Sequence, residues 1–79
     1  MVLNVIIVGG GKEGTYLASL LLSRGHRVKV IEVRREEISR LEQALSPNAI
    51  LVGNGTDPGV LENAGIRQAD VVAAVTGAD

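Results

Sequence analysis

The chain contains no cysteine, no tryptophan and no phenylalanine, and it has one tyrosine and one histidine. Without cysteine there is no disulfide, no thiolate nucleophile and no cysteine-ligated metal site. That absence accords with a reducing cytoplasm. With a single aromatic ring in 79 residues, any core must be aliphatic. An excess of charge is missing too: eight basic against nine acidic residues leave a net charge of -1. No basic stripe is available for a phosphate backbone, so no nucleic-acid partner is expected. Long apolar runs are lacking as well. The stretch Val71 to Val75 falls far short of the roughly 20 residues a membrane span needs. Met1 leads directly into a strand-like run with no charged leader, so a membrane connection would run through a partner.

What is present is the composition of a globular fold, 46% hydrophobic and 22% charged. A chain of 79 residues holds one small domain. Such a chain buries only about 60% of its unfolded surface and is marginal alone. Short β-branched runs alternate with helical stretches, the pattern of a parallel sheet with crossover helices. Val5 to Val8 is an unbroken apolar run, as expected for a strand covered on both faces. A glycine-rich turn follows, then a helix carrying Leu17, Ala18, Leu20 and Leu21 at three- and four-residue spacings. Arg24-Gly25 stops it.

Val28 to Glu32 reads as the second strand and Arg34 to Leu45 as the second helix, with Ile38, Leu41 and Leu45 on one stripe. After the break at Ser46-Pro47-Asn48, Ala49 to Val52 reads as the third strand. Asp57-Pro58 starts a short helix, the acid as N-cap and the proline at the first helical position, and Gly65 ends it. Asp70 to Val75 is the fourth strand, closed by Thr76-Gly77. Right-handed crossovers place strands 2 and 3 on one side of strand 1 and strand 4 on the other. The fold class is therefore α/β, a Rossmann-like three-layer parallel sheet of order 3-2-1-4. Ligands in such sheets bind at the carboxyl ends of the strands beside the switch point.

The glycine turn lies there. Gly9, Gly11 and Gly14 form G-x-G-x-x-G between a strand and a helix, the context in which that pattern is specific. The first permits the tight turn, the second lets a pyrophosphate approach backbone, and the third lets helix pack on strand. The helix start then offers free amides and a positive dipole end to an anion. Glu32 stands 23 positions after Gly9, close to the roughly 20 expected of a ribose-binding acid. A carboxylate there accepts from ribose hydroxyls and repels a 2′-phosphate, favouring NAD over NADP. Arg34 and Arg35 offer the opposite option, a guanidinium gripping phosphate. Lys12 either neutralises phosphate or is solvated, and Glu13 is expected to face solvent. Asn54, Gly55 and Thr56 follow strand 3, where adenine and its ribose usually lie; Asp57 is more simply a helix cap. Thr76 and Gly77 border the place for the far half of a dinucleotide.

Catalytic candidates are scarce. His26 sits in the turn before strand 2, at the amino end of the sheet, and is read as a surface residue. Tyr16, Ser19 and Ser23 have no matching base, and nothing resembles a triad, a carboxylate pair or a metal cluster.

At the level of longer motifs the chain resembles the TrkA N-terminal domain, the RCK or KTN domain that regulates potassium transporters and channels. The resemblance rests on Ile6 to Gly11, Val30-Ile31-Glu32, and Val52-Gly53-Asn54-Gly55-Thr56-Asp57-Pro58 with Val60-Leu61. It continues through Ala64-Gly65-Ile66, Ala69-Asp70 and Ala74-Val75-Thr76-Gly77, so it spans the whole chain. It implies a domain that binds NAD(H), or ATP, ADP or AMP, at Gly9, Gly11, Gly14 and Glu32, with Thr76 and Gly77 at the fourth-strand turn. It also implies a cytoplasmic, oligomeric regulator held at the inner face of the cell membrane by a membrane-embedded potassium transporter or channel subunit. Asn54 stands where the family usually has aspartate, and Arg34 where it often has an acid. The family's domain has further βα units, so residues 1–79 read as the N-terminal part of that fold. A cofactor-binding fragment of an NAD(P)-dependent oxidoreductase and a bare structural module are the competing readings.

Overall fold

A computed structural model describes residues 1–75. The strands are β1 (Asn4–Val8), β2 (Arg27–Glu32), β3 (Ile50–Val52) and β4 (Val71–Ala74); the helices are α1 (Lys12–Ser23), α2 (Arg35–Ala44) and α3 (Pro58–Ala64). The sheet is parallel throughout, in the order β3-β2-β1-β4. Register places Ile7 beside Val30 and Ala73, and Glu32 beside Val52.

The core follows from strand alternation. Val5, Ile7, Val28 and Val30 point to one face and pack with Ala18 of α1 and Leu41 of α2, joined by Leu45 and Ala49. Ile6 and Ile31 point the other way and are equally buried. That second face is the one crossed by the β3-to-β4 connection, because a right-handed crossover running back over the sheet must pass opposite α1 and α2. The third layer is therefore α3.

Element ends depart from the sequence reading in physically traceable ways. The third strand starts at Ile50, because Pro47–Ala49 forms a 3-10 turn that buries Ala49 in the core. The second helix starts at Arg35; Arg34 is its extended N-cap. Its amide and guanidinium are both taken by Glu32. Leu45 is extended and lies beyond the helix. Gly25 and Gly65 have φ of 88° and 89°, the left-handed geometry expected of helix stops. After Gly65 comes a second 3-10 turn, Ile66–Gln68, which helical periodicity did not reveal. The fourth strand spans Val71–Ala74; Asp70 still bonds Asn4, and Val75 still donates to Val8.

Candidate functional site

Three loops meet at the carboxyl end of the sheet. The first leaves β1 through Gly9, whose φ of 107° turns the chain sharply and whose amide donates to the Ile31 carbonyl at 2.9 Å. Gly11 caps α1 with extended backbone and has open space where a Cβ would stand. Gly14, one turn into α1, is buried, and a Cβ there would come within 2.2 Å of the Gly9 carbonyl oxygen. The turn and the helix thus touch backbone to backbone. Lys12 and Glu13 are exposed in the first turn of α1.

Gly10, the middle residue of the turn, is not one of the three spaced glycines, yet it carries the tightest link in the site. Its amide donates to Glu32 Oε1 at 2.6 Å. A Cβ on Gly10 would approach Leu41 Cδ1 to 2.5 Å, so the loop lies directly on α2. The available signal was the run of three glycines, which leaves one more than the turn and pyrophosphate approach require.

Glu32 is only 4% exposed. Besides Gly10, its carboxylate accepts from the amides of Val33 and Arg34, both at 2.8 Å. The Arg34 guanidinium adds Nε to Oε2 at 3.1 Å and Nη2 to Oε1 at 3.2 Å. Burial by itself would raise this carboxyl's pKa, but the Arg34 side chain and the three amides outweigh it and hold the group at about 2. Glu32 is therefore an ionised, anchored carboxylate rather than a solvated strand-end charge.

The third loop follows β3. Asn54 Oδ1 accepts from the Thr56 amide at 2.9 Å and the Thr56 hydroxyl at 2.8 Å, closing a side-chain turn. Gly55 lies over β1, where a Cβ would meet Val8 Cγ1 at 2.5 Å. Asp57 Oδ1 accepts from the Gly59 amide at 2.8 Å and caps α3. Together Gly9, Glu32, Arg34, Asn54, Gly55 and Thr56, with Val8 and Val75, line a cleft of about 250 Å³. Thr76 and Gly77 lie outside the described residues.

A larger cavity, about 420 Å³, opens at the amino end of the sheet among Asn4, His26, Lys29, Asn48 and Gly65. It has neither the glycine turn nor the strand-end acid, so the candidate site is the smaller cleft. His26 is half-buried, and its Nδ1 accepts from the Leu3 amide at 3.0 Å. It pins the entry to β1, a structural task that a plain surface residue would not have. Among the described residues, no group of three His, Cys, Asp or Glu side chains could hold a metal ion, and no helix is long and apolar enough to cross a membrane.

A parallel α/β sheet with a glycine turn after β1 and an anchored acid at the end of β2 defines a Rossmann-type domain. The family model of the TrkA-N domain matches residues 5–79, and the chain belongs to that family. It is 44% identical over 75 residues to a Trk system potassium uptake protein TrkA homolog of Pyrococcus abyssi, covering 95% of this chain and 33% of that relative. A Methanothermobacter thermautotrophicus homolog is 47% identical over 76 residues, 95% of this chain and 34% of the relative. The Trk system potassium uptake protein TrkA of Halomonas elongata is 36% identical over 76 residues, 96% of this chain and 16% of the relative. The chain thus spans about a third or less of the relatives it matches.

Proposed function

We propose that residues 1–79 form a nucleotide-binding regulatory domain of a potassium transport system, taking NAD(H) or an adenine nucleotide, with no chemistry of its own. The observation that carries this reading is one cleft at the carboxyl end of the sheet that is lined by Gly9 and Glu32, with the Gly10 amide of the same turn bonded to the Glu32 carboxylate. Free amides at the start of α1 suit a pyrophosphate, and the shape of Gly11 leaves backbone open to it. Glu32, at the ribose position, accepts hydroxyls and repels a 2′-phosphate, so NAD(H) is preferred over NADP(H). Asn54, Gly55 and Thr56 wall the adenine side. The potassium uptake proteins to which the chain is similar support a regulatory partner embedded in the membrane. The domain then works on the cytoplasmic face, as a homo-oligomer.

Calorimetric titration with NADH, NADPH, ATP, ADP and AMP tests the proposal. NADH should bind, and Glu32→Ala should narrow its lead over NADPH by on the order of 1–3 kcal/mol, the usual loss for a charge-assisted hydrogen bond. No binding by any of the five removes the nucleotide reading. A native preference for NADPH would transfer specificity from Glu32 to the neighbouring arginines.

A further inference from the structure

We propose that Arg34 occupies, within the same chain, the seat that ribose hydroxyls would take on Glu32, so that a nucleotide binds by displacing it. The inference rests on the reading of Glu32 as the ribose acceptor, and it names the residue that governs access to that acceptor.

Acceptor capacity carries it. An ionised carboxylate offers about four lone-pair positions. Glu32 already receives five donors: the Gly10 amide and Arg34 Nη2 on Oε1, and the Val33 amide, the Arg34 amide and Arg34 Nε on Oε2. No position is left for a ribose diol. Three of the five donors are backbone groups built into the glycine turn and the start of α2, and they cannot leave without unfolding the loop. The other two belong to one side chain. Arg34 lines the cleft, and its side chain is 39% exposed, so its two bonds are the ones a ligand can exchange while the backbone stays in place.

Displacement has opposite consequences for two classes of ligand. A ligand with free 2′- and 3′-hydroxyls must break the two guanidinium bonds and replaces them with its own. A ligand with a 2′-phosphate breaks the same bonds but meets the released guanidinium at the cleft rim, where a bidentate pair with phosphate can form. Arg34 therefore weakens binding of diol ligands and supports 2′-phosphates, offsetting the repulsion that Glu32 exerts on them. The three amides stay on the carboxylate when Arg34 leaves.

The test is the affinity of adenosine, NAD+ and NADP+ for the native protein and for Arg34→Ala. Adenosine carries the diol without any phosphate and isolates the ribose seat. The expected result is a roughly three- to tenfold gain for adenosine and NAD+ in the variant, the scale of a partly exposed ion pair, with a loss for NADP+. Weaker or unchanged adenosine binding in Arg34→Ala overturns the proposal, since Arg34 would then be a ligand contact or a bystander. If neither protein binds any of the three ligands, the ribose reading of Glu32 falls first. Should Arg34→Ala melt too early to titrate, Arg34→Gln serves. It leaves one neutral donor on the carboxylate and should shift the affinities in the same directions by less.

Discussion

The Gly10 amide and Glu32 Oε1 stand 2.6 Å apart, joining the centre of the glycine turn to the last residue of the neighbouring strand. Sequence separates them by 22 positions, and the parallel pairing of β1 with β2 brings them together. The bond is buried and charge-assisted, so it is among the stronger kind. It makes the turn's shape depend on the ionisation of one side chain. A ligand's pyrophosphate and ribose would thus bear on two ends of a single link.

That dependence should be visible in acid. Glu32 is held at about 2, below its ordinary 4.5. A folded value below the unfolded one means that the contribution is complete above about pH 4.5 and disappears as pH falls toward 2. A drop of that size corresponds to about 3.4 kcal/mol, reduced to about 2–3 kcal/mol because the Arg34 partner is partly in water. Urea melts at a series of pH values should show native stability declining through this window more steeply than in Glu32→Gln. Parallel curves for the two proteins would mean that the carboxylate's bonds contribute nothing net.

Gly14 and Gly11 should fail in different ways when substituted. Gly14→Ala sets a methyl 2.2 Å from the Gly9 carbonyl oxygen, a backbone atom that cannot move without opening the turn. A loss of several kcal/mol is expected, at the high end for single substitutions. Gly11 has open space beyond it and an ordinary φ of -69°, so Gly11→Val should leave the fold intact and abolish nucleotide binding. Circular dichroism melts paired with titration separate the two outcomes. Native-like stability in Gly14→Ala would show that helix and turn are not in contact.

α3 is the element most dependent on its ends. It has seven residues and buries none of them fully, so packing gives it little support. Asp57 caps one end through the Gly59 amide, and Gly65 closes the other in left-handed geometry. Asp57→Ala should cost about 1 kcal/mol and Gly65→Ala about 1–2 kcal/mol. Amide hydrogen exchange should register both losses within α3 before the sheet is affected. Equal changes in β1 and α3 would mean that the short helix is fully coupled to the core.

Strand order and the position of the cleft were legible in the sequence, because both follow from short-range pattern and crossover handedness. Val5 to Val8 declares itself as a covered strand by its apolar run, Val28 to Glu32 reads as the second strand, and Gly9, Gly11 and Gly14 mark the turn by spacing. The partners of Glu32 were not legible. Whether its carboxylate meets water or five donors depends on where the Gly10 and Val33 amides point, and no residue spacing encodes that. Ala49 failed for a related reason: an alanine before an apolar run continues a strand by pattern, but Pro47 sets a turn that draws it into the core. Position alone makes His26 a surface residue, whereas its role comes from the Leu3 amide, 23 residues away.

The remaining prediction concerns the edge of the sheet at β4. Among the described residues, β4 pairs with β1 on one side and with no strand on the other. Val71 and Val72 are 43% and 48% exposed, where Val5 and Ile6 beside them are buried. The strand thus presents unpaired backbone groups along an apolar ribbon, carries no charge between Val71 and Ala74, and has no proline to block pairing. A second chain that pairs along this edge satisfies the backbone and covers the valines together. The 79-residue chain should therefore self-associate as its concentration rises into the micromolar range. Light scattering after size exclusion, over a dilution series, reads the effect directly. Val72→Lys should shift the series toward monomer, because it places a charge on the exposed edge without disturbing a buried position. Val52→Lys, on the exposed end of β3 at the opposite edge, serves as the control and should change little if association runs through β4. A native chain that stays monomeric throughout the series would show that the β4 edge is protected, and the exposure of Val71 and Val72 would then have no consequence for assembly.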